Sequence, residues 1–227
     1  MKSSFAIPIA IILGGIVVAG AVYLSLRHPS TASGTGDPSL VRPVSSSDHI
    51  FGNPAAPVMI VEYADFDCDY CKGFDEVLHE IVANEGASGD VAWVFREFPL
   101  GEIHPNAFSN ARAAECAAQV AGNDAFWKFK DALFASQPVD PSQYGTFAAS
   151  AGISGTNFAK CYANASTTLD AHINADRQNA FAVGAQGAPY SLILVTGKTP
   201  VVMDGAFPYD QVKYYVDQAL QSISPSR

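Results

Sequence analysis

The chain has 227 residues, of which 48% are hydrophobic and 15% charged, so it can form one sizeable domain with appendages. Its formal net charge is -9 and it contains no run of lysine and arginine, which argues against nucleic acid as a partner.

The first predicted element is a membrane-spanning helix at the N-terminus. Residues 5–26 are uncharged and mostly apolar, and as a helix they would extend about 33 Å, enough for a hydrocarbon core of about 30 Å. We expect residues 1–27 to be a signal-anchor that leaves the rest of the chain extracytoplasmic, in the periplasm or on the outer face of the cell membrane. The alternative is secretion after cleavage at the A-x-A pattern of residues 19–21. The anchor is favoured because the apolar sequence continues beyond that pattern.

A flexible linker rich in Ser, Thr, Gly and Pro is predicted for residues 28–48, and a tail for residues 223–227. The folded domain between them, residues 49–222, shows a strand, a helix and a second strand, then a block of helical patterns, then a hairpin and a helix. The predicted strands are 58–64, 91–98, 191–195 and 200–203, and the predicted helices are 68–83, 105–121, 124–135, 144–151, 156–162, 166–182 and 209–222. This order predicts an α/β thioredoxin fold with a helical insertion over about residues 105–182.

Two cysteines, Cys68 and Cys71, lie at the predicted junction between the first strand and the first helix. A helix N-terminus presents unpaired N–H groups and partial positive charge, which stabilise a thiolate, the attacking species in thiol–disulfide exchange. Half of a zinc site and a plain structural bridge are the alternatives. Zinc usually requires four ligands, and no second closely spaced pair of ligands follows in the sequence. Redox chemistry is therefore the favoured interpretation.

The other two cysteines, Cys116 and Cys161, lie 45 residues apart in the predicted insertion. If Cys68 pairs locally with Cys71, these two remain for a structural disulfide, which persists in exported proteins. The alternatives are a second redox pair or free thiols.

Two further residues are candidates for the same site. Glu62 stands in an otherwise apolar strand, so a buried carboxylate with a raised pKa could transfer a proton to the second thiol. The alternative is that Glu62 faces solvent on an edge strand. Pro189 directly precedes a predicted strand, where a cis bond or an ordinary trans turn would both fit.

Several segments together resemble the DsbA-like branch of thioredoxin-fold disulfide oxidoreductases over roughly residues 50–222. The segments are 51–58, 62–72, 95–100, 104–107 and 187–189. The resemblance implies that Cys68 is the exposed nucleophile, Cys71 the resolving thiol and Glu62 the proton-relay acid. It also implies that Pro189 is a cis-proline beside the dithiol, with neighbouring backbone that pairs with a substrate strand.

Three residues depart from the commonest pattern of that branch and should tune the site. Asp69 stands where proline is common, Tyr70 where the most oxidising members have histidine, and Ala188 where threonine or valine is commoner. Acidic residues also crowd the motif, with Lys72 as the only nearby cation in sequence. Like charge disfavours a thiolate, so we expect Cys68 to be less acidic, and its disulfide less oxidising, than in the strongest oxidases.

The predicted function is thiol–disulfide exchange, most simply the oxidation of exported proteins that contain cysteines, with a membrane redox partner that resets the dithiol. The alternatives are a reductase or isomerase kept reduced by such a partner, and a metal-binding or chaperone module that uses the dithiol.

No cofactor or metal is expected. A monomer is expected because the linker is too short for a dimerisation domain. His104 could be a polar group near the dithiol or a helix-capping neighbour of Pro105, and the second interpretation is favoured.

Overall fold

The computed structural model describes residues 36–164 and 167–223. Within them lie five strands and seven α-helices. The strands are β1 (His49–Gly52), β2 (Val58–Ala64), β3 (Val91–Glu97), β4 (Tyr190–Val195) and β5 (Val201–Asp204). The helices are α1 (Asp69–Asn84), α2 (Ala107–Ala121), α3 (Asn123–Ala135), α4 (Tyr144–Ser150), α5 (Gly155–Ala163), α6 (Thr167–Val183) and α7 (Tyr209–Ile223). Short 3-10 helices cover Pro38–Leu40 and Pro141–Gln143.

The five strands form one sheet in the order β1-β3-β2-β4-β5. Strands β2 and β3 are parallel, and every other pair is antiparallel. All of β3 and nearly all of β2 are buried because helices and chain segments cover both faces, which explains their apolar sequences. One face packs against α1, α3 and α7, and the other packs against the C-terminal half of α6.

The thioredoxin fold with a helical insertion is confirmed, and the insertion comprises α2 to α6. Helix α2 ends at Gly122, whose φ of 84° is a conformation that glycine adopts without steric cost. A disulfide joins Cys116 of α2 to Cys161 of α5, the pairing that the sequence predicts. The two helices are thus held together inside the insertion.

The prediction of a flexible linker is wrong for residues 36–48, whereas residues 28–35 lie outside the described residues. The Asp37 amide donates to the Ala182 carbonyl at 2.9 Å, and the Asn179 side chain donates to the Leu40 carbonyl at 2.8 Å. The polar composition concealed these contacts, since the segment is ordered by α6 rather than by a periodic pattern of its own. Strand β1, which follows it, was also missed because it has only four residues.

The predicted signal-anchor, residues 1–27, lies outside the described residues. Among the helices in the described ranges, none combines the length and the apolar character needed to span a bilayer.

Candidate active site

The dithiol lies at the start of α1, in the position that the sequence predicts. Strand β2 ends at Ala64, and Cys68 has an extended backbone, with φ of -87° and ψ of 119°, that makes it the N-cap residue of α1. Cys71 follows in the first helical turn, and both thiols are free. The expected exposure of the nucleophile is wrong: Cys68 is only 6% exposed and Cys71 is fully buried.

The two thiols have opposite acidities. The pKa of Cys68 is lowered from 9.0 to about 6, chiefly because its thiolate accepts a hydrogen bond from the Cys71 thiol, with further help from the Cys71 and Tyr70 amides. Desolvation and the charge of Asp65 act in the opposite direction. Burial, the hydrogen bond to Cys68 and the negative charges of Cys68 and Glu62 raise the pKa of Cys71 well above its ordinary value. Cys68 is therefore the thiolate of the pair at neutral pH.

We predict that Cys68 in the reduced protein titrates with a midpoint near pH 6, visible in thiolate absorbance and in the pH dependence of alkylation. Because this folded-state pKa lies below 9.0, the thiolate stabilises the reduced folded protein fully above about pH 9, and that stabilisation is lost as the pH falls through about 6. Cys71→Ala should raise the midpoint by removing the main hydrogen-bond donor. A midpoint in the parent chain near the ordinary value of 9.0 would contradict the prediction.

The Ala188–Pro189 peptide bond is cis, as the resemblance implies, so the alternative of a trans turn is wrong. The Cys68 thiol, when protonated, donates to the Ala188 carbonyl at 3.3 Å. The Pro189 carbonyl in turn accepts from the Gly205 amide at 3.0 Å, which fastens this loop to the end of β5. The loop before β4 thus lies directly against the nucleophile.

Glu62 is buried as predicted, and the solvent-facing alternative is wrong because β2 lies between β3 and β4. One carboxylate oxygen accepts from Trp93 Nε1 at 2.9 Å, and the other has no hydrogen-bond partner. Burial, together with the charge of Asp75, raises the pKa of Glu62 well above its ordinary value.

The acidic residues near the motif are more fully compensated than the sequence suggests. Asp65 accepts hydrogen bonds from the Leu100 amide at 2.7 Å and from His104 Nδ1 at 2.9 Å. The interpretation of His104 as a mere neighbour of Pro105 is therefore wrong, because it pairs with Asp65 beside the dithiol. Asp69 and Tyr70 face outward, and Tyr70 is 74% exposed.

Besides Lys72, Lys130 is a second cation whose charge acts on the active-site carboxylates, and the sequence did not predict it. Its fully buried ammonium pairs with Asp75 and, at 2.9 Å, with Asp131, and it lies 4.8 Å from the centre of the Trp93 ring. The charge of Lys130 acts against the raised pKa of Glu62. The signal was present in α3, where position 130 falls on the same face as its apolar residues. These are Phe126, Phe129, Leu133 and Phe134.

Gln137 was missed as well. Its Nε2 atom donates to the Phe66 carbonyl at 2.6 Å and to the Cys68 carbonyl at 3.2 Å. The side chain thereby connects the end of α3 to the backbone of the active-site turn. Nothing in the local sequence indicates this contact, since the partners are about 70 positions apart.

The chain belongs to the thioredoxin family, whose model, described as Thioredoxin, matches residues 45–217. Its fold is that of DsbA-like proteins: alpha-DsbA1 of Wolbachia pipientis superposes with a TM-score of 0.69 at 20% identity, covering 83% of this chain and 100% of that one. DsbA2 of Pseudomonas aeruginosa gives a TM-score of 0.66 at 24% identity, covering 81% of this chain and 100% of that one. The predicted resemblance is confirmed at the level of family and fold.

Curated relatives match part of the chain. A protein named Na(+)/H(+) antiporter NhaA 1 from Mycolicibacterium gilvum is 33% identical over 161 residues, which are 70% of this chain and 25% of that protein. One named Na(+)/H(+) antiporter NhaA 3 from Salinispora tropica is 40% identical over 101 residues, which are 43% of this chain and 15% of that protein. The chain thus spans a quarter or less of the length of these relatives.

Proposed function

We propose that the chain is an extracytoplasmic thiol–disulfide oxidoreductase that oxidises or exchanges disulfides in exported proteins through Cys68 and Cys71. The observation that supports this most strongly is the Cys68 thiol at the N-cap of α1, with a pKa of about 6, next to the Ala188 carbonyl. The partly exposed loop that contains Ala188 and the acidic Cys68 thiol in contact with it are suited to capturing a substrate cysteine.

The opposite acidities give the two sulfurs different roles. In the oxidised protein a substrate thiolate attacks Cys68 Sγ, the bond between Cys68 and Cys71 breaks, and Cys71 takes up a proton. A second substrate thiolate then attacks the substrate sulfur of the mixed disulfide and releases Cys68. Because Cys68 is the more acidic thiol, it is the better leaving group. The two substrate thiols lose two electrons and two protons. The dithiol gains both electrons and Cys71 takes up one proton, and because Cys68 leaves as a thiolate at neutral pH, the other proton goes to solvent.

We assign to Glu62 the role of exchanging a proton with the Cys71 thiol. Ionised Glu62 raises the pKa of Cys71, and the Cys68 thiolate in turn raises the pKa of Glu62. No direct hydrogen bond joins Glu62 to either thiol among the described residues, so a proton that passes between Glu62 and Cys71 requires a bridging water molecule.

Replacing Glu62 with glutamine should slow the step in which Cys71 gains or loses its proton by about tenfold or more at pH 7, because the amide cannot transfer a proton. The pKa of Cys68 should change little, since the Cys71 thiol and the backbone amides dominate it. Stopped-flow fluorescence of the resolving step measures the effect. Glu76→Gln, an exposed carboxylate on α1, is the matched control and should leave the rate unchanged. Equal rates in the two variants would remove Glu62 from the mechanism.

The location and partners of the chain are part of the proposal. The Cys116–Cys161 disulfide supports an oxidising compartment, where such bonds persist. We propose attachment to the membrane through residues 1–27, or secretion if that segment is cleaved, and a membrane redox partner that resets the dithiol. We also propose that the protein acts as a monomer.

A reductase or isomerase is the second candidate, favoured by one observation. Buried Asp65 acts against the Cys68 thiolate, and a less stable thiolate makes a dithiol less oxidising. The two candidates share the chemistry of Cys68 and differ in the direction of electron flow.

The proposed exchange is tested by mixing the oxidised full chain with a reduced peptide that contains two cysteines. Alkylation and mass spectrometry should show the peptide oxidised and both Cys68 and Cys71 reduced in equal amount, with Cys116–Cys161 unchanged. Cys68→Ser should give no transfer. An oxidised peptide without any gain of free Cys68 and Cys71 thiols would contradict the proposal.

A further inference from the structure

A second cluster of titratable side chains shares no residue with the dithiol site. It contains two histidines and three carboxylates from four elements, which meet where the sheet faces the helical insertion. The residues are His49 of β1, Glu97 of β3, Glu115 of α2, and His172 and Asp176 of α6. The distances between their ligand atoms within each of two overlapping groups are below 4.8 Å.

The spacing of these atoms fits ligands of a common ion. Glu115 Oε1 lies 2.9 Å from His49 Nε2 and 3.5 Å from His172 Nε2. His172 Nε2 lies 3.6 Å from Asp176 Oδ2. Two ligand atoms that are each about 2.1 Å from one metal ion are separated by about 3.0–3.5 Å. His172 Nε2 is therefore at ligand distance from two carboxylates at once.

The Glu97 side chain is an independent sign of a cation site. It is fully buried, and among the described residues the groups with which it can share hydrogen bonds are two other carboxyls, those of Glu115 and Asp176. Glu115 and Asp176 are also buried, so three carboxyl groups share one enclosed site. Arg42 pairs with Asp176 through Oδ1, the oxygen that does not face His172. Ionised carboxylates buried next to one another repel, and a bound cation would offset that repulsion.

A comparable group of three titratable residues elsewhere in the chain already has a cation beside its carboxylates. Asp75, His79 and Asp131 also lie within ligand distance of one another. There the Lys130 ammonium already pairs with both carboxylates, so a positive charge is built into the fold. In the cluster around Glu97, Arg42 pairs with Asp176 from one side, but among the described residues no lysine or arginine forms an ion pair with Glu97 or Glu115.

We propose that His49, Glu97, Glu115, His172 and Asp176 bind one divalent transition-metal ion, with Zn²⁺ as the best match. Imidazole nitrogens favour zinc and its neighbours over magnesium and calcium, which prefer oxygen ligands alone. The expectation of no metal, drawn from the sequence, considered only the cysteines and closely spaced histidines. The ligands are separated by up to 127 positions, so only the fold brings them together.

The ion would act as a structural link between the sheet and the insertion. It would join β1 and β3 to α2 and α6, whose ligands are otherwise held by hydrogen bonds and by the stacking of His49 on Phe126. His172 is the most exposed of the five and marks the side from which an ion could enter.

The test is calorimetric titration of Zn²⁺ into the full chain, purified without an affinity tag and with Cys68 and Cys71 oxidised so that no thiolate can bind metal. We expect one ion per chain, and an affinity at least tenfold lower in E97Q and in H172Q. H79Q, in the Asp75 triad, is the matched control and should bind as the parent does. Zn²⁺ should raise the thermal midpoint of the parent and of H79Q but not that of E97Q.

E97Q also separates a metal site from a merely structural cluster. Without metal it should be at least as stable as the parent, because a neutral amide, which can donate hydrogen bonds to Glu115 and Asp176, replaces one of three buried carboxyl groups. Co²⁺ should give visible d–d absorption bands in the parent that are absent in E97Q. If H172Q fails to fold, this comparison alone tests whether Glu97 binds the metal. Absence of binding in the parent, or binding that both E97Q and H172Q retain, would overturn the proposal.

Discussion

Replacing Cys71 with serine is expected to stop the reaction at the mixed disulfide. The reduced variant should still attack a disulfide substrate through Cys68, because the serine hydroxyl can donate the hydrogen bond that the Cys71 thiol donates to the thiolate. The covalent complex should then persist, with its resolution slowed roughly 10³-fold or more, since an intramolecular thiol has a very high effective concentration.

The trapped complex is measured by non-reducing electrophoresis and by mass spectrometry of the linked peptides, which should identify Cys68 as the attached residue. Cys68→Ser is the paired control and should form no complex, because Cys71 is fully buried and its pKa is raised. A complex linked through Cys71, or equal trapping by the two variants, would show that the roles of the two thiols are reversed.

Replacing Lys130 with methionine is expected to destabilise the fold by about 3–5 kcal/mol, because breaking a buried ion pair leaves Asp75 as an uncompensated charge. Lys130 is fully buried and pairs with Asp75 and Asp131. Because methionine retains most of the side-chain volume, the decrease in stability comes from the lost charge rather than from poorer packing. Urea unfolding monitored by circular dichroism gives the change in the free energy of unfolding.

The double variant Lys130→Met with Asp75→Asn shows how much of the lost stability comes from the interaction between these two residues and how much from their other contacts. Removing both charges should recover much of the stability that Lys130→Met alone loses, and the double-mutant cycle gives the coupling between them. A loss below about 1 kcal/mol in Lys130→Met would indicate that the pair is as weak as one on the surface.

The parts of this protein that the sequence predicted are those with a local pattern. Strand β2 is a continuous apolar run and was predicted at its observed bounds, Val58–Ala64. The placement of Cys68 and Cys71 followed from the junction of that run with the periodic helix α1. Glu62 could be recognised as buried because a single carboxylate in such a strand has apolar neighbours on both sides.

The parts that were missed depend on contacts between distant positions. The segment at residues 36–48 is fixed by α6, more than 130 positions away. His104 and Gln137 reach the active-site turn from the chain after β3 and from the end of α3. Local propensity carries no information about such pairs. The fold also covers Cys68, which the resemblance to the DsbA-like branch implied would be exposed.

The measurement that tests the account most directly is the reduction potential of the Cys68–Cys71 pair in the full chain, equilibrated against glutathione buffers. The Cys68 pKa of about 6 lies between the values of about 3.5 and about 7 found for strongly oxidising and reducing C-x-x-C proteins. We therefore predict a potential between about -270 and about -120 mV. A value at or below about -270 mV would mean a reductant and contradict the proposed oxidising role. A value at or above about -120 mV would contradict the claim that Asp65 moderates the thiolate.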